Sequence, residues 1–166
     1  MKFNNESLRI AVKEWQEDET KAASKYGHIS NWDVSNVTDM SEMFQSSKSF
    51  NQDINNWDVS NVTNMKSMFD NAEEFNQPIG CWDVSNVTDM SSLFMYAKSF
   101  NQPIGNWNVS NVTKMFSMFE MAHDFNGNIT NWDVSKVTSM VSMFYGATSF
   151  NQDLSTWDTS SVTNMY

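Results

Sequence analysis

One cysteine, two prolines, five glycines and two histidines are all that the 166 residues hold of the types that staple a fold or build a reactive site. A single Cys81 can form no internal disulfide and no multi-cysteine metal centre. His28 and His123 stand alone, with no nucleophile, base and orienting partner spaced around them, so no catalytic residue and no enzyme is expected. Basic residues are scarce too: ten Lys and Arg face twenty Asp and Glu, for a net charge of −10. Residues 1–31 balance five acidic against five basic groups, so the rest of the chain carries the whole surplus. That field repels phosphate backbones and anionic lipid, which removes nucleic acid and membrane surfaces from the expected partners. No apolar run reaches the length of a membrane span, and the first 30 residues hold no apolar leader segment. As written, the chain is expected to be soluble and cytoplasmic.

What the sequence does have is repetition. Trp32, Trp57, Trp82, Trp107, Trp132 and Trp157 stand 25 residues apart, inside WDVSNVTDM, WDVSNVTNM, WDVSNVTDM, WNVSNVTKM, WDVSKVTSM and WDTSSVTNM. Five complete units and the start of a sixth follow one another without insertion or deletion. A fixed period of this length is the mark of a repeat architecture. An active site is needed once, whereas a packing position is needed in every unit.

Within one unit, Met40, Met43, Phe44, Ser47 and Phe50 fall at offsets 0, 3, 4, 7 and 10, one stripe of a helix. Thr38, Thr63, Thr88, Thr113 and Thr138 precede these runs at the place of an N-cap. In the following stretch, Ile54, Trp57 and Val59 take the spacing of a short strand with Trp57 and Val59 on one face. The predicted class is therefore α/β: a solenoid with one short parallel strand and one short helix per 25-residue repeat. Pro78 and Pro103 replace Asp53, and Thr130 and Ser155 replace Gly80 and Gly105, which predicts a tolerant loop at an exposed edge.

Residues 1–28 follow another grammar. Ser7 is a candidate N-cap, Leu8, Ala11, Val12 and Trp15 form a helical stripe, and Gly27 closes a second helical segment. They are expected to form a helical N-terminal cap, followed over 29–166 by the solenoid, because a terminal repeat has only one neighbour to cover it. No equivalent follows at the other end. That leaves self-association through the C-terminal end, or extension by a longer protein, as the alternative to a binding role.

The run I-x-x-W-x-V-S-N-V-T-x-M, followed by M-F-x-x-A-x-x-F-N-Q, resembles the BspA-like leucine-rich repeat family over residues 29–165. The resemblance implies a leucine-rich-repeat-like solenoid and, from the better-known members at bacterial and protist surfaces, adhesion or protein binding.

Two columns carry candidate chemistry. Asp33, Asp58, Asp83, Asn108, Asp133 and Asp158 would stack about 4.8 Å apart on the open face of a parallel sheet. Read as a site, they form an acidic face for a basic protein partner, or weakly for calcium; read as structure, each accepts hydrogen bonds from its nearby Ser and shapes its own turn. Asn36, Asn61, Asn86 and Asn111 are either glycosylation sequons or an internal amide ladder. The Trp column reads as core, the methionines as adaptable filler, and Cys81 as a substitution in the Asn31, Asn56, Asn106 and Asn131 column. No cofactor is expected. The function implied is a non-enzymatic protein-binding or adhesion module acting through the Asp-lined face, with structural assembly as the alternative.

Overall fold

A computed structural model describes residues 1–165; the expected solenoid boundary at Tyr166 lies outside the described residues. The chain opens with two helices, α1 (Asn5–Glu17) and α2 (Glu19–Tyr26), and then a single 3-10 turn, Ile29–Asn31. Asn4, not Ser7, caps α1: its side chain accepts from the Ser7 N–H, and the Ser7 hydroxyl accepts from the Asn4 N–H, a reciprocal box. The Asp18 N–H donates to the Glu14 carbonyl at the end of α1, and its side chain accepts from the Lys21 N–H to cap α2. Leu8, Ala11, Val12 and Trp15 form the buried stripe of α1.

From there to residue 165 the chain winds in 25-residue coils, each laid against the last. Isolated parallel bridges link Asp39 to Asn64, Asn64 to Asp89, Asp89 to Lys114, Lys114 to Ser139 and Ser139 to Asn164. The expected strand and helix of each repeat are both absent among the described residues, and the α/β strand–helix solenoid is therefore corrected. The apparent strand is two corners. The Trp57 N–H donates to the Ile54 carbonyl at 3.1 Å and the Val62 N–H to the Val59 carbonyl at 2.9 Å, so the chain bends twice within nine residues.

The apparent helix fails for a different reason. An α-helix directs every N–H to the carbonyl four residues back, whereas here Met43, Gln45 and Ser47 donate three residues back, to Met40, Glu42 and Phe44. The alternate N–H groups of Met40, Glu42, Phe44 and Ser46 leave the segment and donate to Asn64, Lys66, Met68 and Asp70 of the next coil. Glu42 and Ser46 both hold φ near +60°, at the third residue of their turns, which is the feature of a type II turn. Consecutive turns put Met40, Phe44 and their equivalents inside just as a helix would, and they also bond coil to coil. Thr63 caps nothing: its N–H and hydroxyl both donate back to the Thr38 carbonyl, at 2.9 and 3.2 Å.

The interior is stacked by column. Phe44, Phe69, Phe94, Phe119 and Phe144 lie with ring centroids 5.6–5.8 Å apart, and each has a second Phe of its own coil within about 4 Å. The indole N–H groups of Trp57, Trp82, Trp107, Trp132 and Trp157 reach back to the carbonyls of Ile29, Ile54, Ile79, Ile104 and Ile129. Each Trp thus fills the core of one coil and hydrogen-bonds the previous one. Helix α1 substitutes for the coil that the first repeat lacks. Its Asn5 side chain accepts from the Thr38 and Asp39 N–H groups, and Arg9 donates to the Ser41 carbonyl.

The loop at residues 78–80 is less tolerant than expected. A Cβ on Gly80 would lie 2.2 Å from the Pro103 carbonyl oxygen, and one on Gly105 2.3 Å from that of Asn128. The glycines answer close approach between coils, with no positive φ at either position. Where Thr130 stands instead, its hydroxyl donates to the Asp153 carbonyl at 3.1 Å.

Candidate functional site

The acidic column lies at corners of the coils, since the described residues form no sheet to carry it. Its members are exposed, and each is occupied locally. Asp33 accepts from the Ser35 N–H at 3.1 Å and hydroxyl at 2.6 Å, and Asp58 and Asp133 do the same with Ser60 and Ser135. Asp83, Asn108 and Asp158 accept from the N–H of Ser85, Ser110 and Ser160. These bonds hold the carboxyls of Asp33, Asp83, Asp133 and Asp158 below the ordinary range; the serine hydroxyl contributes most and the backbone N–H next. Repulsion between Asp158 and Asp133 is only the smallest influence on Asp158. The stacked carboxylates are Asx-turn acceptors first. Among the described residues no three His, Cys, Asp or Glu side chains converge as metal ligands.

The Asn column is a ladder, and it lies on the surface. Asn61, Asn86 and Asn111 donate to the carbonyls of Ser35, Ser60 and Ser85, and Lys136 takes up the series by donating to Asn111. A second amide ladder was not anticipated from the sequence. Asn51 accepts from the Asn76 N–H and the Gln77 side chain, and Asn76 from Asn101 and Gln102 in the same way. The recurring F-N-Q was its signal. Cys81 is exposed, with its sulfur 2.8 Å from the Asn55 side-chain oxygen.

The corners of the consecutive turns are one of several places where the repeat varies, beside the columns that begin at Asp39, Lys48, Asp53 and Asn55. In each coil the two residues after the first buried Met, and the two after the buried Phe, stand at the corners of the consecutive turns; Ser67, Asp70, Ser91 and Ser92 are buried there, and the others are exposed or half-buried. In the first coil the corner residues are Ser41, Glu42, Gln45 and Ser46, and in the second Lys66, Ser67, Asp70 and Asn71. In the third, fourth and fifth coils the same corners hold Met95 and Tyr96, Phe116 and Met121, and Val141 and Tyr145. Backbone bonds from Tyr96 to Glu120 and from Met121 to Tyr145 make these residues neighbours across coils. Tyr96 is 37% exposed and Tyr145 66%. On the same face Asp70 accepts from the Gln45 amide and has no cation beside it; burial raises its pKa, and the charges of Glu120 and Glu42 push the same way.

Two clefts flank this face. One, of about 430 Å³, separates α1 from the first coil; Trp15, Glu19 and Gln52 line it, and the Gln16 amide bridges to the Ser47 hydroxyl at 2.7 Å. The other, of about 520 Å³, lies at the last described coil between Met143, Phe144, Leu154 and Trp157. There the N–H groups of Ser142, Phe144 and Gly146 find no acceptor among the described residues.

The family described as "Mycoplasma protein of unknown function, DUF285" matches residues 13–123 and again residues 102–166. The chain belongs to the DUF285 family. The two matches overlap over 102–123, as expected where one repeated unit can be aligned in two phases. No curated protein and no solved structure matches the chain. In this DUF285 chain the recurring residues of the motif are thus absorbed by packing, turn formation and bonds between coils. The outer corners of the consecutive turns are left as the part of the surface with its own character.

Proposed function

We propose that this DUF285 chain is a non-enzymatic protein-binding module whose binding face is the row of outer turn corners. The observation that carries the reading is the contrast between columns. Inner and ladder positions recur because every coil needs them, whereas the exposed corners change from Glu42 and Lys66 to Tyr96 and Tyr145 along the stack. Exposed Tyr96 and Tyr145, with the half-buried Met95, Phe116 and Met121 beside them, are of the residue types enriched where proteins bind one another. The likeness to BspA-like repeats supports the same reading and adds adhesion as its setting. The acidic column is the weaker face, because each carboxylate already serves its own turn.

Panning a displayed peptide library on the immobilised chain tests this. Saturable binders are expected whose binding is lost when Tyr96, Phe116, Met121 and Tyr145 are changed to Ser. They are expected to survive the change of Asp58, Asp83 and Asp133 to Asn. If no binder rises above scrambled controls, the module reading is wrong; if binders depend on the Asp column alone, the face is wrong.

A further inference from the structure

The outer face is apolar at one end and anionic at the other, and this asymmetry specifies a partner. On the first two coils it carries the exposed Glu42 and the buried Asp70, with Lys66 on the same corners and Arg9 and Lys13 of α1 lining a shallow cleft with Glu42; no ion pair joins any of these cations to Glu42 or Asp70. On the last three coils Glu120 stands among Met95, Tyr96, Phe116, Met121 and Tyr145. Elsewhere on the coils the lysines are engaged: Lys48 and Lys98 both bind Glu73, and Lys114 binds Asp89. Among the described residues Glu42, Asp70 and Glu120 make no ion pair, and neither do Asp33, Asp58, Asp83, Asp133 and Asp158 at the other corners of the coils. The Met121 side chain packs against Gly146, where a Cβ would fall 2.2 Å from its sulfur, so the glycine makes room for the methionine. Five coils at about 4.8 Å span about 19 Å, the length of roughly 13 helical residues.

Resting on the binding reading above, we propose that this face docks a cationic amphipathic segment of another protein. Its apolar side lies over Tyr96, Phe116, Met121 and Tyr145, and its basic residues meet Glu42 and Glu120. Apolar burial supplies affinity in the middle of the patch, and the anionic coils orient the segment and speed encounter. An anionic bilayer, the other surface that takes up amphipathic faces, is repelled by the net charge of −10.

The test uses the full 166-residue chain and three labelled 14-residue peptides, followed by fluorescence anisotropy. The peptides are a Lys/Leu amphipathic sequence, its Glu/Leu counterpart, and a scramble of the first that keeps its charge and loses its apolar side. The Lys/Leu peptide is expected to bind saturably, at least about tenfold more tightly than the scramble, and the Glu/Leu peptide not at all. Phe116→Ser with Tyr145→Ser is expected to weaken binding about tenfold. Glu42→Gln with Glu120→Gln is expected to flatten its salt dependence. Asp58→Asn with Asp83→Asn is expected to leave it unchanged. Equal binding of the scramble, loss of binding in the Asp58/Asp83 variant, or uptake of neutral phosphatidylcholine vesicles by the same face would each overturn the proposal. Library binders that need Tyr96 and Tyr145 but carry no basic residues would overturn this partner and keep the module; the absence of any binder would remove both.

Discussion

Replacing Ser67 and Ser117 by glycine is expected to stabilise the chain, against the usual effect of glycine. Both serines hold left-handed backbone, with φ of 55° and 53°, and neither hydroxyl makes a hydrogen bond to protein. An L-residue in that region costs roughly 1–2 kcal/mol. Glycine escapes this cost but loses roughly 0.5–1 kcal/mol more conformational freedom on folding. The net gain is about 0.5–1 kcal/mol at each site. The two positions lie two coils apart, about 10 Å at the parallel spacing, so their effects should add to about 1–2 kcal/mol. Ser99, in the same array but outside the left-handed region, is the control: Ser99→Gly should lose about 0.5–1 kcal/mol. Urea unfolding read by both far-UV dichroism and tryptophan emission measures all three, with coincidence of the two probes testing that the coils melt together. If Ser67→Gly and Ser117→Gly destabilise as Ser99→Gly does, the chain of type II turns is the wrong account of residues 65–72 and 115–122. A regular helix there would give that result.

Three further outcomes follow from single positions. Ser91 is fully buried and its hydroxyl has no partner, so Ser91→Ala should be neutral or stabilising by about 1 kcal/mol in the same unfolding assay; a clear loss would mean the hydroxyl is bonded. Gly80→Ala forces a methyl into the Pro103 carbonyl and should cost about 1–3 kcal/mol, whereas Thr130→Ala, which removes only a hydroxyl bond between coils, should cost about 1 kcal/mol; equal losses would refute the close approach. The hydrogen bonds from Lys98 and Lys48 lower the Glu73 pKa to about 2. Its folded value lies below its unfolded value, so the unfolded chain binds more protons between them. The stabilisation is therefore present above about pH 4.5 and lost as pH falls towards about 2. Glu73→Gln should abolish this part of the acid dependence, and parallel melting curves for the two proteins from pH 6 to pH 2.5 would show it.

The period, the register and the identity of the buried residues were legible in the sequence; the local backbone was not. Met40, Met43, Phe44 and Ser47 satisfy a helical stripe because both a helix and a run of consecutive turns return the chain to the same side every three to four residues. Hydrophobic spacing reports which side chains point inward and says nothing about where the N–H groups go. Glu42, Ser46, Tyr96 and Met121 give no warning of positive φ, since the residues that usually mark it are Gly and Asn. Only Asn71 and Gly146 in that column carried the usual sign. The strand reading of Ile54, Trp57 and Val59 failed for the same reason. Asp58, whose turn bond from its serine is one of the two readings of its column, and Asp53, which has no such reading, fold the stretch into two corners.

The same physics explains why the acidic column drew notice and the outer corners did not. A residue repeated at 25-residue intervals stands out in a sequence, and repetition looks like purpose. In a stack of coils, repetition means that each coil must make the same bond to its neighbour: the Trp indoles to the Ile carbonyls, the Asn amides to the Ser carbonyls, the Thr hydroxyls to the previous Thr carbonyls. Asp33 and its equivalents belong to that class through their serines. A partner docked along the stack meets five coils at once and needs them to differ, because a uniform face would accept it in five registers. Glu42, Asp70, Tyr96, Phe116 and Tyr145 break the period on one face, and a face that breaks the period is one that can fix a register.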